Sequence, residues 1–157
     1  MKTQYIEAPN SVYLSSLLNS KSVFLGGSIT GAWDWQKEVA GKLLPKFNVI
    51  NPRRTNYVWS EQEERNQINW EFQYLKGCDI ILFYFSHETL APITLFGYGK
   101  FLGRLQNNYW QKAYVCIHPE YKRRNDVIIQ TELESPEMAK KILFDLDLTI
   151  NQILNEN

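Results

Sequence analysis

Short apolar runs alternate with stretches of helical period along the chain. The segments "SVFLGG" (22–27), "FNVINP" (47–52) and "AYVCIHP" (113–119) read as strands that end in glycine or a turn. "DIILFYF" (79–85) is continuous and apolar, as a strand buried on both faces should be. "DVIIQT" (126–131) reads as a fifth, shorter strand. Between them, 33–44 has helical spacing and stops at Pro45, and 61–76 sets Ile68, Phe72 and Leu75 on one stripe before Gly77. Pro92 suits the first turn of a helix over 92–105, and 147–154 supplies a last amphipathic helix. This alternation predicts a three-layer α/β fold around a mainly parallel five-stranded sheet, with residues 1–157 forming one domain.

One helix breaks its own rules. Gly97 and Gly99 flank Tyr98 inside 92–105, and a helical glycine costs about 1 kcal/mol relative to alanine. Bare backbone kept there calls for a reason.

In parallel α/β sheets, ligands bind beyond the carboxyl ends of the strands, near the point where strand order reverses. The segments after the first four strands are "GGSITGAWDWQ", "NPRRTNYVW", "SHETLAP" and "HPEYKRRND", all polar. Two of them hold arginine pairs, Arg53–Arg54 and Arg123–Arg124, whose guanidiniums can hold phosphate or carboxylate bidentately. The run "GGSITG", with Gly27 and Ser28, allows close backbone approach to a ligand but matches neither the phosphate-loop nor the dinucleotide pattern. His87 and His118 stand at strand ends, where a general base or a base-stacking ring sits well; no nucleophilic serine or cysteine completes a triad with them. Asp79, at the start of its strand, either braces the fold or binds a sugar hydroxyl.

Charge and composition narrow the partners. Seventeen basic and seventeen acidic residues give a formal net charge of zero, so no global field draws the chain to nucleic acid or anionic lipid. The longest apolar run, "IILFYF", is too short to cross a bilayer, and "MKTQYIEAPN" lacks the apolar core of a signal peptide. Cys78 and Cys116 lack metal or redox spacing and read as buried structural thiols in a reducing cytoplasm. No cofactor and no metal is expected.

The stretches "VFLGGSITGAWDWQ", "VINPRR", "QINWEFQYLKGCDIILFYFSHETLAPITLFGYG" and "HPEYKRRNDVIIQT" resemble, in order, the nucleoside 2-deoxyribosyltransferase-like family. The resemblance implies a flavodoxin-like (Rossmann-like) sheet. It also implies cleavage or exchange of the N-glycosidic bond of deoxynucleosides through a glutamate nucleophile that forms a glycosyl-enzyme. Family members assemble so that a neighbouring subunit completes each pocket, which implies a homo-oligomer here. In the family, the Pro-Ile-Thr-Leu run leads through one residue into Glu-Leu-Gly; this chain reads Phe96, Gly97, Tyr98, Gly99, so the nucleophile's position falls on Gly97. By the same resemblance Asp34 and Gln36 read a base edge or sugar, Asp79 organises the sugar end, and Asn125 and Asp126 reach toward a neighbouring site. Asn51 belongs to the Asn-Pro-Arg-Arg motif.

The candidate ligand-binding residues are therefore Gly27, Ser28, Asp34, Gln36, Asn51, Arg53, Arg54, Asp79, His87, Gly97, Tyr98, Arg123, Arg124, Asn125 and Asp126. Two functions fit. One is a binding protein without turnover that sequesters or senses a phosphorylated nucleotide ligand, as a viral sponge for immune-signalling nucleotides does in a host cytoplasm. The other is an active N-glycosidase or deoxyribosyltransferase acting on nucleosides or nucleotides, with water activated by Asp79 or Glu88. A structural protein with a vestigial site is the third reading.

Overall fold

The computed structural model of the protein describes residues 3–17, 20–105 and 110–156. Five parallel strands, β1 (Tyr5–Glu7), β2 (Ser22–Gly27), β3 (Asn48–Asn51), β4 (Ile80–Phe85) and β5 (Lys112–Ile117), form one sheet in the order β1-β3-β2-β4-β5. Alternation along each strand divides the core. Val23, Leu25, Val49, Ile80 and Leu82 point to one face, where α1 (Trp35–Leu43) and α6 (Leu146–Leu154) cover them. Phe24, Ile50, Ile81, Phe83 and Phe85 point to the other, beneath α2 (Glu61–Gly77), α3 (Pro92–Leu105) and α4 (Arg124–Glu134). The result is the three-layer α/β arrangement that the alternation implied, with the flavodoxin-like sheet that the family resemblance implied. A short α5 (Pro136–Ala139) follows α4.

Local chemistry fixes the helix starts. Asp34, Ser60 and Asp145 each accept a hydrogen bond from the backbone N–H three residues on, satisfying one of the free donors of α1, α2 and α6. Glu61, Glu63 and Glu64 in the first turn of α2 add charge that favours its amino end. Both cysteines are buried free thiols; burial pushes Cys116 up to about 11 and Cys78 higher still.

Two expectations need correcting. The segment 126–131 is helical, part of α4, because Val127 and Thr131 lie one turn apart and are both buried, and Thr131 Oγ1 bonds back to the Val127 carbonyl. The fifth strand is instead β1 at the opposite edge, with Tyr5, Ile6 and Glu7 paired to Val49, Ile50 and Asn51. On α2 the buried pair is Trp70 and Tyr74, while Ile68 and Phe72 of the expected stripe are 60% and 50% exposed. Ile68 and Leu75 of that stripe line a cleft, and of the three only Leu75 also packs against the core.

The chain runs from β2 outward to β3, then returns past β2 to β4. Strand order therefore reverses between β2 and β4, and their carboxyl ends part into a crevice.

Candidate ligand-binding cleft at the carboxyl edge of the sheet

A cleft of about 560 Å³ opens at this crevice, on the sheet face shared with α2 and α3. Phe24, Gly26 and Phe83 line its sheet side, and Ser28, Ile29 and Thr30 supply the loop after β2. One wall is the α2 face carrying Glu64, Gln67, Ile68, Glu71 and Leu75; the other is the start of α3, from Ala91 to Gly97. Ala91 holds φ at 45°, in the left-handed region that a non-glycine residue seldom adopts, immediately before α3. That size and mixture of apolar surface with a few polar groups suit a small organic ligand.

Gly97 belongs to this lining, and a Cβ built on it meets nothing within 4 Å. A side chain there has room. Gly27 is the opposite case: its Cβ would lie 2.5 Å from Trp35 Cζ2 and 2.6 Å from the Tyr84 carbonyl oxygen. Gly27 also lines the cleft, but its missing side chain serves the packing of Trp35.

Four other candidates form one network behind the loop after β2. Arg53 Nε donates to Gln36 Oε1 (3.0 Å), and its Nη2 donates to the carbonyls of Trp33 (2.8 Å) and Ala32 (3.3 Å). Asp34 lies 3.4 Å from Arg53 Nε, and Asn51 Oδ1 accepts from the Arg53 backbone (2.9 Å). Gln36 is fully buried, and it and Trp35 both donate to the Ser28 carbonyl. None of Asp34, Gln36, Asn51 and Arg53 lines the cleft; together they hold the loop that does. Glu88 extends the brace, accepting from Ser86 Oγ (2.9 Å) and the Trp33 backbone (3.1 Å). Those hydrogen bonds, Ser86 first, hold its carboxyl below the usual range.

Arg54 alone of the four candidate arginines reaches the cleft. Its Nη2 pairs with Glu63 Oε2 at 2.7 Å and its guanidinium lies over the Tyr57 ring. Its Nη1 is buried without a hydrogen-bond partner, as is Oε1 of Gln67 on α2. Buried polar groups left unpaired are uncommon, and a binding site is one reason they persist.

The remaining candidates lie elsewhere. Asp79 stands at the amino end of β4, where its carboxylate accepts from Ser22 N and Ser22 Oγ, both at 2.7 Å. The length of β4, about 20 Å at ~3.3 Å per residue, separates it from the cleft. It is a brace, and it cannot contact a ligand held at the other edge. Tyr98 faces the core: it is 3% exposed, packs edge-on against Phe83 and bonds Thr131 Oγ1 at 2.8 Å. Burial pushes its phenol up to about 12. Arg123, Arg124, Asn125 and Asp126 are exposed around the start of α4, with Arg123 bound to Asp126 and Arg124 to the Pro119 carbonyl. His87 is exposed beside His118, outside the cleft lining.

Sequence reasoning missed Glu71. It lines the cleft and accepts from Gln67 Nε2 at 2.8 Å; burial pushes its carboxyl up. The signal was present in the spacing of Glu64, Gln67, Glu71 and Leu75, which share one helical face with Ile68.

A parallel sheet in the order β1-β3-β2-β4-β5, layered with helices and opening into a cleft at its switch point, is of the flavodoxin-like type. Residues 20–121 match the family described as nucleoside 2-deoxyribosyltransferase like, and the chain belongs to that family. Comparison with curated proteins gives no match. No helix among the described residues is long and apolar enough to cross a membrane.

Proposed function

We propose that the protein binds a nucleoside-type ligand in the cleft between β2, β4, α2 and α3 and does not turn it over by a glycosyl-enzyme. The observation that carries this reading is Gly97: it lines the cleft with open space at its Cβ, at the position where the family resemblance puts the nucleophile. Without a carboxylate there the covalent route is closed, and losing a nucleophile removes several orders of magnitude in rate. The protein then acts by holding its ligand, as a sensor or a sequestering agent.

The ligand's charge follows from the cleft. Arg54 is its one candidate arginine, already paired with Glu63, and Glu64 and Glu71 line the same space. This balance supports a nucleoside or a singly charged derivative over a polyphosphate. Homo-oligomer formation is part of the reading. Ile68, Phe72, Ile93 and Phe96 are exposed on α2 and α3, and Lys100 lies over both phenylalanine rings. A second subunit seated there would narrow the cleft mouth.

Gly97→Glu tests the assignment. The variant should gain deoxynucleoside N-glycosidase activity, followed by chromatography of released base, and should bind anionic ligands more weakly through like-charge repulsion. Unchanged activity together with unchanged affinity would show that position 97 is not the nucleophile's.

The hydrolytic alternative has one supporting observation, in Glu71 rather than in Asp79 or Glu88. A carboxyl pushed up by burial in a cleft is suited to general-acid work. Base release by the wild type that is lost in Glu71→Gln would establish it.

A further inference from the structure

Two histidines distant in sequence meet where the sheet ends. His87 follows β4 and His118 follows β5, and the pairing of Phe85 with Ile117 brings both strand ends into register. The His118 backbone N–H donates to the Phe85 carbonyl at 2.9 Å, so the register persists beyond the strands. The two imidazoles lie with centroids 4.1 Å apart and planes tilted by 35°. Glu120 returns to the same point through a tight turn, in which Tyr121 N donates to the His118 carbonyl at 2.9 Å. The buried Tyr121 anchors that turn, its hydroxyl donating to the Leu90 carbonyl at 2.8 Å.

One nitrogen of each ring and one oxygen of Glu120 lie within 4.8 Å of one another. Zinc bonds of ~2.0–2.2 Å to imidazole and carboxylate put tetrahedral ligand atoms about 3.3 Å apart. Rotation of side chains with free surface, on a backbone already fixed, closes that difference. We propose that His87, His118 and Glu120 form a binding site for a divalent transition-metal ion, with zinc the best fit. Two imidazoles and one carboxylate favour zinc, cobalt, nickel or copper over calcium and magnesium, which prefer all-oxygen sets. Three protein ligands leave a coordination position for water or a ligand donor. The Glu120 backbone N–H, which donates to His118 Nδ1 at 3.2 Å, competes for one lone pair; a metal on Nδ1 displaces that bond.

The placement gives the ion a role. It would tie the loop entering α3 to the loop entering α4. Thr89 and Ala91, which line the cleft, follow His87 directly in the first of these loops.

The test uses the full chain, stripped with chelator, and zinc alone as the probe. Calorimetry should give one ion per chain with a dissociation constant in the micromolar range. Cobalt substitution should give the intense visible absorption of a four- or five-coordinate site. His87→Ala and His118→Ala should each weaken zinc at least tenfold, and Glu120→Gln measurably less than either. Circular dichroism establishes that the variants fold, and His87→Gln provides a second substitution at an exposed ligand. Absence of saturable zinc binding overturns the proposal, as does binding that survives either histidine substitution. Zinc affinity unchanged in Glu120→Gln overturns the three-ligand site. These outcomes do not depend on whether the cleft binds nucleosides.

Discussion

Replacing Gly27 by alanine should be among the most damaging single-methyl changes in the molecule. The new Cβ would stand 2.5 Å from Cζ2 of Trp35 and 2.6 Å from the Tyr84 carbonyl oxygen, where ordinary contact begins near 3.4 Å. Neither neighbour can yield cheaply. Trp35 is fully buried, its Nε1 donates to the Ser28 carbonyl at 2.8 Å, and its ring packs edge-on against Tyr84 at 5.0 Å. The Tyr84 oxygen belongs to β4, an interior strand paired on both sides. Relief requires roughly 1 Å of displacement in a packed core, which puts the cost near the top of the overpacking range, about 3 kcal/mol. For a chain of this size that lowers Tm by about 6–12 °C. Gly97→Ala is the matched contrast. Its Cβ meets nothing within 4 Å, so the change should stabilise the helix by about 0.5–1 kcal/mol. Urea unfolding of the three proteins in parallel measures both. A Gly27→Ala variant within 1 kcal/mol of wild type would refute the packing argument, and a destabilised Gly97→Ala would show that position 97 is not open.

Two further changes probe the cleft's supports. Arg53→Ala removes the hydrogen bonds to Gln36, Ala32 and Trp33 and takes from Oε1 of the fully buried Gln36 its Arg53 donor, which should cost about 2–4 kcal/mol in denaturant unfolding; an unaffected stability would show that the network is idle. Glu71 has its carboxyl pushed up by burial, so its contribution to stability is complete below the unfolded carboxyl range, about pH 4.3, and falls as pH rises through the folded value. Glu71→Gln should therefore be more stable than wild type at pH 7 and lose that advantage toward pH 4. A stability gap that does not vary with pH would mean that Glu71 ionises freely.

The fold was legible because the alternation of 3.6-residue and apolar-run patterns survives almost intact from 22 to 117. The misreading of 126–131 has a plain cause. Val127, Ile128 and Ile129 satisfy a strand run and a helix equally well, and only the burial of Val127 with Thr131 decides between them. Three-residue β1 carries too little pattern to detect, since its place comes from pairing with β3. The candidate cleft was half legible. Sequence pointed to the sheet edge where the cleft opens and to Gly97, which lines it, yet could not tell that Arg53 turns back onto its own loop while Arg54 reaches the cleft. Adjacent residues on a turn diverge, and their partners, Gln36 and Glu63, come from different helices. Asp79 falls outside the cleft for a directional reason: a residue at a strand's start lies at the opposite edge of the sheet from its carboxyl end.

The central claim is that this cleft holds a nucleoside-type ligand and returns it unchanged. Isothermal calorimetry of the wild type and of Arg54→Ala, against nucleosides and their mono-, di- and cyclic phosphates, tests it, with chromatography of the recovered ligand. The account predicts saturable binding of at least one compound, recovered intact. For any ligand that reaches Nη1, Arg54→Ala should weaken binding by about 1.5–3 kcal/mol. Absence of binding across the panel, or steady release of free base by the wild type, would contradict it.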